Sequence, residues 1–437
     1  MMELLGTRKR ALLCTLLWVC LFVLSAMMTG CGGSKPATQA GLPLPVTAGP
    51  VNSYVGGLGD SPSTQSTWSV TIDHSQTSYS YGPVSPTAVP VVGAFASLTG
   101  GFLILLNQNG YQNGLALEIP GEAIILRPGD STTAPVFAVQ QASCFPINGN
   151  VKFLFAFTPG LTGGSRPFSG RIYASTNSDG KSWQFSNQAQ YIAPYVYEVT
   201  DGGNVPSSAT FPGYPAGYSA TCSVSTGSAV VNSSPTAYFN NGLTYTLPTQ
   251  SVISPAGFFF QKQDYSNVDP AAGWSYPVMS AWGVSEPSVP LAINGVATAN
   301  YLGFFAEANL STGTYRTRPV GFGNAPIAGT VMNGGTFPNE DPTQPVTQNM
   351  SVKFGTQDPL NDGVYYLATL TVPYDGGQSA CGTPVPNPNG TLSCTYRAVA
   401  MVGTRNYQYA STIEQYAIIL SATDESGNQK TLVLFQQ

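Results

Sequence analysis

The feature that most constrains this chain is the recurrence, along nearly its whole length, of short apolar/polar alternations bounded by turn residues, with no sustained helical periodicity. Side chains of a strand point alternately to its two faces, so each such run buries one face and wets the other, and the chain is expected to be all-β. Residues 66–73 (STWSVTID) lead through a turn at Asp73-His74-Ser75-Gln76 into 78–81. Residues 101–106 (GFLILL) and 114–119 (GLALEI) flank Asn107-Gln108-Asn109-Gly110. Pro120-Gly121 and Pro128-Gly129 bracket 123–127, in the order that suits type II turns. Further strands are expected at 136–140, 151–157, 171–175, 183–186, 256–262, 278–284, 299–307, 364–372, 396–402, 416–423 and 430–435. The strongest interior shift in composition is the Gly, Pro, Ser and Thr density of 201–236. The expected architecture is two antiparallel β domains of barrel or sandwich type, residues 51–233 and 234–437, with edge strands capped by polar loops.

The N-terminus reads as an export signal. Arg8, Lys9 and Arg10 precede an unbroken apolar run over 11–24, and Met28-Thr29-Gly30-Cys31 follows as a lipobox. Residues 1–30 are then a lipoprotein signal peptide, and Cys31 is the lipid attachment site. The competing reading is an uncleaved transmembrane helix, since 11–28 reaches the lower edge of a spanning length. Buried acyl methylenes contribute about 0.8 kcal/mol each, and two or more chains together anchor stably. Gly32, where an aspartate is linked to inner-membrane retention, resembles the pattern of outer-membrane lipoproteins. Residues 32–50 carry one charge and four prolines and form a flexible tether. Its coil reach is about 25 Å. The expected location is the cell envelope, outer membrane or cell surface, with the membrane as partner through the lipid.

Without residues 1–30 the body keeps 13 basic against 20 acidic side chains, a net charge of −7. The basic residues are scattered, so nucleic acid is excluded as a partner. Charged residues make up 8% of the chain, against an ordinary share of about 25%. The apolar and aromatic shares, 42% and 11%, are nonetheless large enough to bury a core. The surface must therefore be covered by hydroxyls and carboxamides. Besides Cys31 the body has Cys144, Cys222, Cys381 and Cys394, an even number for an oxidising compartment. Three pairings are possible. The Pro/Gly/Asn-rich interval between Cys381 and Cys394 favours that pair, leaving Cys144 with Cys222. Zinc is a poor rival, because there is no CxxC and no histidine nearby.

Motifs that would carry chemistry fail one by one. Residues 175–183 resemble the Asp-box hairpin of β-propellers, with one residue too many. Gly180-Lys181-Ser182 has Ser175 where a phosphate loop needs glycine. The stretch 358–363 has Leu360 and Thr369 where a calcium loop needs oxygen ligands from carboxamides or carboxylates. His74 is the sole histidine, placed in a hairpin turn and read as surface decoration; no GxSxG occurs. Glu118 with Glu122, and Glu340 with Asp341, are candidate carboxylate pairs for glycoside chemistry, against a plainer reading as solvated turn acids. Trp68 and Trp183 lie in alternating strands and should point inward, while Trp274 lies in a loop as a candidate exposed platform, and Trp282 adds a fourth body tryptophan. No catalytic, cofactor or metal residue is assigned.

The strings WSVTID at 68–73, LEIPGEAIILRPGD at 117–130, GGTFPNEDPTQ at 334–344 and the C-terminal LFQQ resemble a group of bacterial surface lipoproteins with a lipobox signal peptide and a β-rich body. The resemblance spans most of the body from Tyr54 onward and implies an envelope location; it supplies no activity and no site residue. The expected function is a non-enzymatic binding or structural surface protein, with a glycan or cell-envelope ligand. The alternatives are a carbohydrate-active enzyme, with two acids in one cleft, and a small-ligand carrier with a cavity inside a barrel.

Overall fold

The computed structural model describes residues 48–58, 67–85, 87–98, 101–140, 143–147, 149–159, 168–186, 197–198, 205–206, 217–225, 228–238, 242–269, 278–286, 299–309, 312–325, 331–337, 347–357, 363–374, 381, 384–387, 390–405, 415–424 and 429–437. Every described element is a strand, turn or loop of an antiparallel β protein. The first eight strands close on themselves: β1 (Val51–Leu58), β2 (Trp68–Asp73), β3 (Ser78–Pro83), β4 (Val91–Ser97), β5 (Phe102–Leu106), β6 (Gln112–Ile119), β7 (Ala123–Pro128) and β8 (Val136–Gln140). Each pairs with the next, and β8 returns to β1 in the register Gly56↔Ala138.

Apart from a separate two-stranded ribbon, Thr236–Tyr238 with Thr244–Thr246, the remaining strands form a second closed sheet, and its pairings trace two further eight-strand circuits. One runs through Val151–Pro159, Phe168–Thr176, Ser182–Ser186, Tyr218–Ser225, Ser228–Ser233, Thr249–Ile253, Phe258–Asp264 and Val278–Ser285, closing where Val284 faces Leu154. The other runs through Ala299–Asn309, Thr314–Ala325, Val331–Phe337, Thr347–Lys353, Val364–Pro373, Leu392–Arg405, Gln415–Thr423 and Gln429–Gln436, closing where Glu307 faces Lys430. Among the described residues one ladder pair joins the two circuits, Ser285↔Thr404, reinforced by the Ser285 hydroxyl donating to the Thr404 carbonyl at 2.7 Å. All described residues belong to one compact unit of the chain.

The architecture is thus all-β and built of barrels. Ladder pairing crosses the 233/234 position, joining Ser228–Ser233 to Thr249–Ile253, and the change from one closed sheet to the next falls between Gln140 and Val151. The Gly/Pro/Ser/Thr-rich stretch that marked a boundary in the sequence contains two strands of the middle circuit, Tyr218–Ser225 and Ser228–Ser233. The hairpin at 175–183 joins two neighbours of that circuit, so it is a barrel turn and not a propeller blade motif.

An eight-stranded barrel is just wide enough for side chains to fill, and large side chains occupy the inward positions of all three. Tyr54, Val70, Tyr79, Tyr81, Phe95 and Leu105 pack inside the first, Phe153, Trp183, Phe185 and Phe259 inside the second, and Phe305, Phe322, Met350 and Leu420 inside the third. The outward positions of adjoining strands form a fourth cluster between the barrels: Leu117, Ile125 and Phe137 from the first, Phe258, Phe260 and Trp282 from the second, Phe304, Ile419 and Phe435 from the third. Strands with both faces buried need no polar alternation, which is why β7 reads AIIL, Phe258–Asp264 begins FFF, and Gln429–Gln436 contains LVLF. Two glycines let the barrels approach. A Cβ on Gly57 would lie 2.4 Å from the Phe260 ring of the second barrel, and one on Gly403 would lie 2.0 Å from Val284 Cγ2.

Two disulfides are present. Cys144–Cys222 packs against the core of the second barrel, and Cys381–Cys394 against that of the third.

Candidate functional site

Of the two acids that flank Pro120-Gly121, Glu118 meets the only histidine at one mouth of the first barrel. The β6–β7 turn is held by the Glu122 N–H donating to the Ile119 carbonyl at 2.9 Å. Glu118 shares the inward side of β6 with Ala116, so its carboxylate enters the barrel lumen. There Oε1 accepts from the Tyr54 hydroxyl at 2.6 Å and from Asn52 Nδ2 at 3.0 Å, while Oε2 meets His74 Nε2 at 2.7 Å. The Tyr54 hydroxyl in turn accepts from the Gly121 N–H at 3.2 Å. Burial, and then the Glu118 charge, push the Tyr54 phenol well above its ordinary range.

His74 belongs to the β2–β3 turn and closes this mouth from outside. Its N–H donates to the Pro50 carbonyl at 2.7 Å, so the turn grips the chain where the expected tether ends. Its ring stands edge-on to Phe95 with centroids 5.4 Å apart. The preceding Asp73 carboxylate accepts from the Ser75 hydroxyl and from the Ser75 and Gln76 N–H groups, and the hydroxyl above all lowers its pKa.

Glu122 faces away from this shell toward the third barrel, where Arg405 Nη1 donates to its Oε2 at 3.1 Å. Arg405 also bonds the Gln415 side chain and the Gln436 carbonyl. Burial raises the Glu122 carboxyl to about 7, and Arg405 only partly offsets it. A second buried charge group lies inside the third barrel. Glu307 sits between Arg318 at 3.0 Å and Lys430 at 3.4 Å; Lys430 also reaches Asp424 at 3.7 Å and lies over the Tyr396 ring. Two acids face two bases there, so the buried charges balance.

These positions correct the expectation of solvated turn acids. Glu118 and Glu122 are both buried, and only His74 reaches solvent, with 37% of its side chain exposed. The signal was absent locally: Arg405 follows Glu122 by 283 residues, and Glu118 follows His74 by 44. Trp183 and Trp282 are buried, the first inside the second barrel and the second between barrels, and Trp68 packs on the first barrel's core. Cys31, Trp274, the Glu340-Asp341 pair and 358–362 lie outside the described residues. Among the described residues no group of three His, Cys, Asp or Glu side chains is placed to hold a metal ion, and no helix is long and apolar enough to cross a membrane.

No protein-family model matches this chain, and no curated protein matches it by sequence. Solved structures similar to it include a double mutant of the vaccine antigen transferrin-binding protein B from Haemophilus parasuis Hp5, at 10% identity and a TM-score of 0.25, covering 92% of this chain and 78% of that one. The intact Ap-TbpB structure, with N and C lobes, gives 10% identity and a TM-score of 0.24 over 92% and 79% of the two chains. A TM-score of this size carries no argument about function.

Proposed function

We propose that this protein is a non-enzymatic binding or structural lipoprotein of the cell envelope, held to the membrane through Cys31 and carrying its barrels on the 32–50 tether. The observation that supports this reading best is the fate of the acids: Glu118, Glu122 and Glu307 are buried and engaged by Tyr54, Asn52, His74, Arg405, Arg318 and Lys430. A glycoside hydrolase needs two carboxyls facing one substrate-filled cleft, whereas these are enclosed by protein donors. The carrier reading loses support for a related reason, since large side chains fill the inward positions of all three barrels. Glycan arrays and cell-wall pull-downs with the full-length protein test the reading, and uniform absence of binding counts against a binding role. Mass spectrometry of the native protein tests the anchor: a diacylated Cys31 with residues 1–30 removed is expected, and a bare thiol or retained leader refutes it.

A further inference from the structure

The first barrel has two unlike mouths. One holds the tether root at Pro50 and the buried Glu118–His74 pair; the other, roughly 17 to 25 Å away along strands of five to eight residues, carries the β5–β6 turn. This turn displays its groups instead of burying them. Tyr111 is 71% exposed, and Gln108, Asn109 and Gln112 around it are exposed as well. The backbone beneath is fixed: Asn107 Oδ1 accepts from the Asn109 and Tyr111 N–H groups at 2.9 and 3.0 Å, and the Asn107 N–H donates to the Tyr111 carbonyl at 2.8 Å. Gly110, at φ +78°, makes the reversal and donates to the Asn107 carbonyl at 2.9 Å. The β4–β5 ladder ends at Ala94↔Leu106, and the residues of β4 that precede Ala94 include Val91 and Val92, both exposed, with Val89 at 88% exposure just before them. Residues 101–117 contain no charged side chain.

From these placements we infer that the β5–β6 turn is a binding tip for a neutral saccharide chain, with the Tyr111 ring as its stacking face and the Gln108 and Asn109 carboxamides as partners for sugar hydroxyls. The inference rests on the binding reading above and names the ligand class. A sugar ring presents an apolar C–H face that packs on an aromatic face, and hydroxyls that both donate and accept, as a carboxamide does. An uncharged tip offers nothing to a uronic or sialic acid. A ring displayed on a turn already fixed by hydrogen bonds loses little freedom on binding.

The test is a titration of full-length protein with neutral glucan and mannan oligosaccharides and, in parallel, with hyaluronan oligosaccharides. Binding to a neutral chain is expected, reduced tenfold or more in Tyr111→Ala and kept within about threefold in Tyr111→Trp. Because Tyr111 is exposed, both variants should melt at the wild-type temperature, so a loss of binding is not a loss of fold. Equal binding by wild type and Tyr111→Ala, or binding confined to hyaluronan, overturns the tip and leaves the binding reading intact. A wild type that binds a purified envelope protein and no saccharide has the same consequence. Absence of binding to every envelope component removes both.

Discussion

Replacing Glu122 by glutamine should make the protein more stable at neutral and alkaline pH. Burial raises this carboxyl from 4.5 to about 7, with Arg405 only partly opposing the shift. A carboxyl whose pKa is higher folded than unfolded binds its proton more tightly in the folded chain. Its contribution to stability is complete below pH 4.5 and is lost as pH rises through 7. About two and a half pH units at about 1.36 kcal/mol each make this contribution about 3 kcal/mol. Glutamine keeps the volume and an oxygen to accept from Arg405, which also bonds Gln415 and Gln436, and never ionises. Scanning calorimetry from pH 5 to 8 should show the wild-type melting temperature falling across the interval and Glu122→Gln nearly flat, the variant melting higher at pH 8. A wild type that gains stability as pH rises toward 8, together with a less stable variant, would refute the reasoning: the attraction to Arg405 would then outweigh the desolvation of the carboxylate.

Three further expectations concern packing and covalent closure. Phe137→Ala removes a fully buried ring that stacks on Trp282 at 5.1 Å between barrels, and should cost about 3 to 5 kcal/mol, seen as a lower denaturation midpoint with changed tryptophan emission. Gly57→Ala puts a methyl group 2.4 Å from Phe260 and should loosen the first barrel from the second, detected as faster hydrogen exchange in β1 and in 258–264. Cys394→Ser opens a disulfide of sequence separation 13 and should lower stability by about 3 kcal/mol, whereas an unchanged melting temperature would show that the third barrel's core suffices without it.

Strands were legible where one face is wet. WSVTID alternates between half-buried and buried positions in β2, as its spelling suggests. The pairing of barrel to barrel was not legible, because it uses the outer face of strands such as Ala123–Pro128 and Phe258–Asp264, and a sequence apolar on both faces does not say what covers the second. The region 201–236 marked a domain boundary near its end because Gly, Pro, Ser and Thr dominate it, yet Cys222 and Val231 pack into the second barrel's core. The acid cluster was half visible. Glu118 and Glu122 stood out by their spacing around Pro120-Gly121, but their burial depends on Arg405 and His74, which only the closed fold brings near. Tyr111 passed unnoticed because a turn spelled NQNGY reads as a plain hairpin connection until its exposure is seen.

The shared cluster between the barrels bears on how the gene can be cut. Expressing any one barrel by itself would leave the phenylalanines of that seam, Phe137 or Phe258 or Phe304 with their neighbours, open to water and to one another. Fragments trimmed at the loops between barrels should therefore precipitate or associate. Practical work on this molecule is better served by point variants in the intact polypeptide than by truncations.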